Sequence, residues 1–259
     1  MKSSALTATF VIVVLAVTGT LLNRLAAPAW SATREKQPAL TLDSSVTAAG
    51  QGVTLALLGG FRALVADAAW MRMYARWEVR DLPAVETLIR VVSAIDPRPV
   101  YFWINGARIL AYDLPVWRIE AAGGFERVAG PTQQRIGREQ AQLALRHLDA
   151  AMAFHPASAD LWTERASIEL SKLHDLAAAA ESFRRAWEQP RAPFYAARLH
   201  AELLRRQGRK AEALAWLVQV HPLQPPDPEG GREDVVLQRI RDLERELGVA
   251  PERSYQPVR

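Results

Sequence analysis

The five histidines, His147, His155, His174, His200 and His221, are the first candidates for metal or acid–base chemistry, and their spacing supports neither. None falls in H-E-x-x-H or another ligand pattern, and none stands beside paired carboxylates at a metal-binding interval. His155 and His221 simply precede prolines. The absence of cysteine removes disulfides and thiolate metal sites together. No G-x-S-x-G elbow, Walker-type loop or dinucleotide fingerprint occurs, and Gly59-Gly60 lacks the strand and lysine of a phosphate cradle. The expectation is a protein that is not an enzyme, with no cofactor and no metal.

Charge narrows the partners. The net charge of +4 and the pI near 9.7 come from arginines spread along the whole chain, with acidic residues interleaved at helical spacing. A nucleic-acid binder gathers Lys and Arg into one stripe with stacking aromatics. No such stripe is present, so no nucleic-acid partner is expected. A diffuse basic surface is compatible with anionic lipid heads.

The elements that must position any binding residues are helices. Apolar residues make up 49% of the 259-residue chain, which is enough for a real core, and Ala and Leu fill long segments between charges. No alternating strand pattern appears, so the fold class is all-α. Trp70, Trp103 and Trp162 open helices, and Pro97, Pro156 and Pro222 close units, with Trp103 and Trp162 each six residues after a proline. Trp70, Tyr74 and Trp77 form an aromatic stripe on a helix expected from Val53 to Val79. Pro83 starts the next helix, with Leu88, Val91, Val92 and Ile95 as its buried face. Tyr101 to Tyr112 continues as a helix that should break at Asp113-Leu114-Pro115, because the residue before proline avoids helix.

Pro97 to Pro156 and Trp103 to Trp162 are both 59 positions apart. Against a repeat of about 34 residues this leaves roughly 25 extra. The surplus maps to 114–138, where Pro115, Gly123-Gly124 and Gly130-Pro131 predict a long binding loop or lid, or an insertion folded on the edge of the array. Ala144, Leu148, Ala151 and Phe154 then mark a helix from Gln140, and Ala179, Phe183 and Ala186 mark the second helix of the following hairpin. Phe194 to Arg206, a turn at Gln207-Gly208-Arg209, and Ala213, Leu217 and Val220 make the last pair. Residues 223–259 hold a Pro-rich link and a capping helix with Val236, Ile240, Leu243 and Leu247 on one face.

The amino terminus is a membrane segment. Ala5 to Leu22 carries no charge over eighteen residues, at the short end of the roughly 17–25 needed to span a bilayer. A spanning anchor over 1–29 and a cleaved signal both fit, and the anchor fits better because Pro28 and Arg24 spoil the cleavage pattern. Residues 30–52 read as a polar tether. Lys2 before the apolar run looks like an export signal, although Arg24, Arg34 and Lys36 count the other way. The expected place is the outer, periplasmic face of an inner membrane.

Over Asp67 to Pro222 these residues resemble the tetratricopeptide-repeat superfamily, with W…A-x3-F…P punctuation. The glycine expected after the tryptophan is Ala107 and Ala166 here, and the last repeat does not open on tryptophan. LLGGFRALVADAAW is similar to a block of membrane-anchored bacterial repeat proteins. The resemblance implies an α-solenoid of helical hairpins after the anchor, filling 53–222, whose first helices line a protein-binding groove. It implies groove positions at Tyr101, Ile104, Arg108 and Tyr112, at Thr163, Ser167 and Leu170, and at Tyr195, Arg198, Glu202 and Arg205. Guanidinium groups there can grip a peptide carboxylate, and tyrosines add flat contact area. The function expected is a membrane-anchored scaffold for protein partners in a cell-envelope assembly. The rivals are an accessory or ligand-binding subunit of an envelope enzyme or transferase with 114–138 as its lid, and a structural subunit seated through Trp117 and Phe125.

Overall fold

The computed structural model describes residues 62–223 and 232–257. The anchor, the tether, the first residues of the helix expected from Val53 and most of the Pro-rich link lie outside the described residues. Among the described residues every regular element is helical, so the chain is all-α there. No helix among them is long and apolar enough to cross a membrane. The chain divides into two compact units between Phe102 and Trp103.

In the first unit, α1 (Arg62–Glu78) and α2 (Leu82–Ile95) pack together across a short turn. α1 buries Ala66, Trp70 and Met73, one face at helical spacing. The Trp70 ring meets Tyr74, Tyr101 and Phe102 at centroid distances of 5.5, 5.8 and 5.2 Å. Asp81 caps α2 by accepting from the Ala84 N–H at 3.2 Å, and Pro83 sits in the first turn, where a missing N–H costs nothing. The buried face of α2 differs from the sequence expectation. It is Val85, Ile89, Val92 and Ser93, while Leu88 and Ile95 are half-buried and Val91 is exposed. Apolar residues run wider than one stripe on this helix, so the packing partner, not the periodicity, decides which ridge is covered.

The second unit starts within α3 (Val100–Arg108). The expected break at Asp113-Leu114-Pro115 does not occur. The helix widens into a π-turn over Ile109–Asp113 and runs on as α4 (Leu114–Ala121). The Leu114 N–H reaches back five residues to the Ile109 carbonyl. The widened turn absorbs Pro115, which has no N–H to donate and whose ring would otherwise crowd the carbonyl four residues back. After a turn through Gly123 (φ 119°) and Gly124 (φ 89°), α5 runs from Gly130 to Phe154, with Pro131 in its first turn. The surplus at 114–138 is thus a lengthened helical hairpin and not a loop. Its glycines and prolines punctuate the ends of long helices. Arg118 and Arg135 both bond Glu139, at 2.9 and 2.6 Å, which fixes α4 to α5.

Trp103 is buried and lies against Phe154 and His147, with ring centroids 5.9 and 4.7 Å away. α6 (Ala159–Ile168), capped by Ser158, also ends in a π-turn, Glu169–Leu173. His174 then takes a left-handed φ of 55° and Asp175 caps α7 (Leu176–Trp187), accepting from Ala177 and Ala178 at 3.1 and 2.9 Å. Asp175→Ala is expected to cost about 1 kcal/mol, read as a lower thermal midpoint.

Ala166, Ala179, Ala180, Phe183, Ala186, Ala196 and Leu203 form one core cluster, with Trp162 half-buried against it. α8 (Phe194–Arg206) and α9 (Lys210–Val220) follow, then α10 (Arg232–Glu246). Their cluster holds Ala201, Leu204, Ala213, Leu217, Val236, Ile240 and Leu243. Trp216 on α9 supplies the indole that α8 lacks, donating from Nε1 to the Ala197 carbonyl at 2.9 Å. From α4 onward each helix of this unit packs on its neighbour in sequence. Leu247, expected on the buried face of the cap, is exposed because α10 stops at Glu246 ahead of Gly248 at φ 66°.

Candidate functional site

α8 presents Tyr195, Arg198, Glu202 and Arg205 at intervals of three and four residues, so they share one face of the helix. α10 lays Val235, Arg239 and Leu243 opposite that face, and between them lies a cavity of about 470 Å³. Its apolar wall comes from Leu199, Leu217 and the α10 residues. The four residues expected on α8 are therefore gathered around one space.

The charges in this cavity are unequal. Arg205 grips Glu202 through two bonds, Nε to Oε2 at 2.9 Å and Nη2 to Oε1 at 2.8 Å. Arg206 adds a third bond at 3.1 Å, and Arg239 stands 4.0 Å from Oε2. The Arg205 hydrogen bonds, helped by Arg206 and the charge of Arg239, hold the Glu202 carboxyl at about 2. Glu202 is saturated by these partners. Arg198, also lining the cavity, makes no ion pair or hydrogen bond with the described residues. Of the three arginines lining the cavity, Arg205 and Arg239 stand on its one carboxylate and Arg198 pairs with none of the described residues. Glu202, the one carboxylate of the lining, is held ionised by its arginines, and the arrangement can hold an anionic group beside an apolar one.

A second cluster joins α3 and α6. Arg108, largely exposed, binds the buried Glu164 carboxylate, with Nε at 2.8 Å and Nη2 at 2.7 Å from Oε2. The Glu164 bond raises the Arg108 pKa, with smaller contributions from Tyr112 and Tyr195. Tyr112 and Ser171 share a hydrogen bond of 2.9 Å, and the Lys172 ammonium lies 4.2 Å from the Tyr112 ring centroid. Thr163, Ser167 and Ser171 each donate to the carbonyl four residues back, at 2.8, 2.9 and 2.7 Å. Those protons are spent inside the helix, so the ladder offers a ligand only acceptor oxygens.

The remaining expected groove positions are Tyr101, Leu170 and Ile104. Tyr101 belongs to the aromatic cluster of the first unit, its hydroxyl 3.3 Å from that of Tyr74. Leu170 packs on the core of α6 and α7, and Ile104 is half-buried. Sequence reasoning missed Glu164, Ser171 and Lys172, and it treated α10 as a plain cap without seeing Arg239. The four-residue spacing of Thr163, Ser167 and Ser171 was a visible signal for Ser171. Nothing in the sequence paired Arg239 with Glu202. The chain matches no protein-family model, and no curated protein matches it.

Proposed function

We propose that this protein is a membrane-tethered, tetratricopeptide-like helical scaffold that holds a partner polypeptide in a cell-envelope assembly. The cavity between α8 and α10 carries this reading, because it joins an uncommitted Arg198 and a loosely held Arg239 to an apolar wall. The partner segment it suits presents a carboxylate next to an apolar side chain. The hairpins of the second unit, packed in sequence order, are the support for a repeat scaffold. The uncharged run from Ala5 to Leu22 is the support for an anchor, with the body on the periplasmic side of the inner membrane.

The rival reading, an accessory subunit that takes a small ligand, draws on the cavity volume, which lies in the range of small-molecule sites. None of the residues lining that cavity comes from 114–138, so that hairpin supplies no wall to it.

The test places a photoactivatable benzophenone amino acid at position 195 of the full chain in its native membrane. A discrete protein adduct is expected, reduced roughly tenfold by Arg198→Glu, because a reversed charge repels the partner's carboxylate. No adduct, or one indifferent to Arg198→Glu, would contradict the proposal.

A further inference from the structure

α1 carries two apolar faces. One, with Ala66, Trp70 and Met73, is buried. The other consists of Leu64, Ala68, Met71 and Ala75, all exposed, with Leu64 at 65% and Met71 at 68% of their full accessibility. Their spacing of four, three and four is the seam of a two-helix coiled coil. Asp67 and Arg72 border the seam, and the exposed Glu78, last residue of α1, ends it. Asp67 lies on one flank and Arg72 on the other, both exposed, and neither pairs with any described residue.

We infer that α1 pairs with α1 of a second copy of this chain, parallel and in register. The charge pattern selects that occupant and that direction. With Leu64 and Met71 at d and Ala68 and Ala75 at a, Asp67 falls at g and Arg72 at the following e. In a parallel pair a g residue meets the partner's e residue five positions further on, so Asp67 of each copy faces Arg72 of the other. The two-fold axis then makes the Asp67–Arg72 pair twice, once on each side of the seam. An antiparallel pair sets like flank against like flank and leaves both charges without a partner. An anionic bilayer is a poorer match, because the negative charge of Asp67 stands on the flank of the apolar stripe. The alanines at a let the two backbones approach, while Leu64 and Met71 fill the seam. A parallel pair also brings both amino-terminal segments to the same end of the dimer. If the proposed anchor holds two chains in one membrane, a step that rests on the reading above, they meet at high local concentration, which suits a seam this short. The inference does not depend on what occupies the cavity between α8 and α10.

The chain has no cysteine, so a single introduced thiol reports on its own symmetry mate. The test is mild oxidation of the full chain in membranes, with Ala68→Cys, Met71→Cys, Ala75→Cys and, on the outer side of the seam, Arg76→Cys. Seam positions of a parallel pair lie within disulfide reach of themselves, so positions 68, 71 and 75 should form dimers on the order of tenfold faster than position 76. In the Met71→Cys background, Asp67→Arg or Arg72→Asp should slow dimer formation severalfold, and the double reversal should restore it to within about twofold. Dimer formation at one seam position alone indicates a crossing or antiparallel contact and overturns the parallel register. Equal formation at all four positions, or none, overturns the pairing altogether. A thiol at position 71 that forms no dimer but is quenched by a lipid-borne probe places α1 on the bilayer, which also overturns it.

Discussion

Phe183→Ala is expected to lower the unfolding free energy by about 4 kcal/mol, seen as a fall in the urea midpoint at unchanged slope. The phenyl ring is among the largest side chains removed completely from solvent, and its cluster mates Ala166, Ala179, Ala186 and Ala196 are short. Those alanines lie along α6, α7 and α8 and are too short to fill the space the ring leaves, so most of the cavity cost remains unless Leu203 or the half-buried Leu170, Leu176 and Leu199 relax into it. Phe183→Leu keeps most of the volume and should cost about 1 kcal/mol. A loss below about 1.5 kcal/mol for the alanine variant would mean that the hairpins are not held together at this seam.

Arg165→Ala is expected to cost about 3 kcal/mol at neutral pH, because it strands a buried carboxylate. Glu169 is 4% exposed, accepting from Arg165 Nε at 2.9 Å and from Ser182 Oγ at 2.6 Å. Arg165 also pairs with Asp149, so one guanidinium links α5, α6 and the π-turn, while Ser182 extends the network to α7. Burial raises the Glu169 pKa above its ordinary 4.5, although Ser182 and Arg165 act against it. A raised carboxyl means that the folded protein takes up the proton before the unfolded chain does. Stability contributed this way grows as pH falls through the raised value and stops growing near 4.5, where the unfolded chain is protonated too. Removing Arg165 leaves burial less opposed, so the deficit of Arg165→Ala should narrow between pH 7 and pH 5. Adding Glu169→Gln should flatten that dependence. A deficit that is constant across this range would show that Glu169 does not govern it.

The helical class and most helix ends were legible because they rest on local chemistry. Pro83, Gly208 and the A-x3-F spacing at Ala179 and Phe183 act within one or two turns of the chain. Pro115 misled because a proline breaks an α-turn, and only the packing of α4 on α5 reveals that a π-turn accommodates it here. The wide apolar surface of α2 hid which ridge faces α1. Within the site, Tyr195, Arg198, Glu202 and Arg205 were readable as one helix face. Arg239 was not, since its approach to Glu202 depends on how α10 docks and no local pattern records that. Glu164 was hidden for the same reason, as its partner Arg108 lies 56 positions away in sequence.

The most direct test of the binding account is equilibrium selection of a random peptide pool on the full chain, followed by comparison of selected peptides with their amide isosteres. The account predicts sequences that place an acidic residue or terminal carboxylate beside a large apolar side chain. Asp-to-Asn or Glu-to-Gln exchange in the peptide, or Arg198→Ala in the protein, should each weaken binding roughly tenfold. Selection of neutral or basic peptides, or affinities untouched by Arg198→Ala, would contradict it.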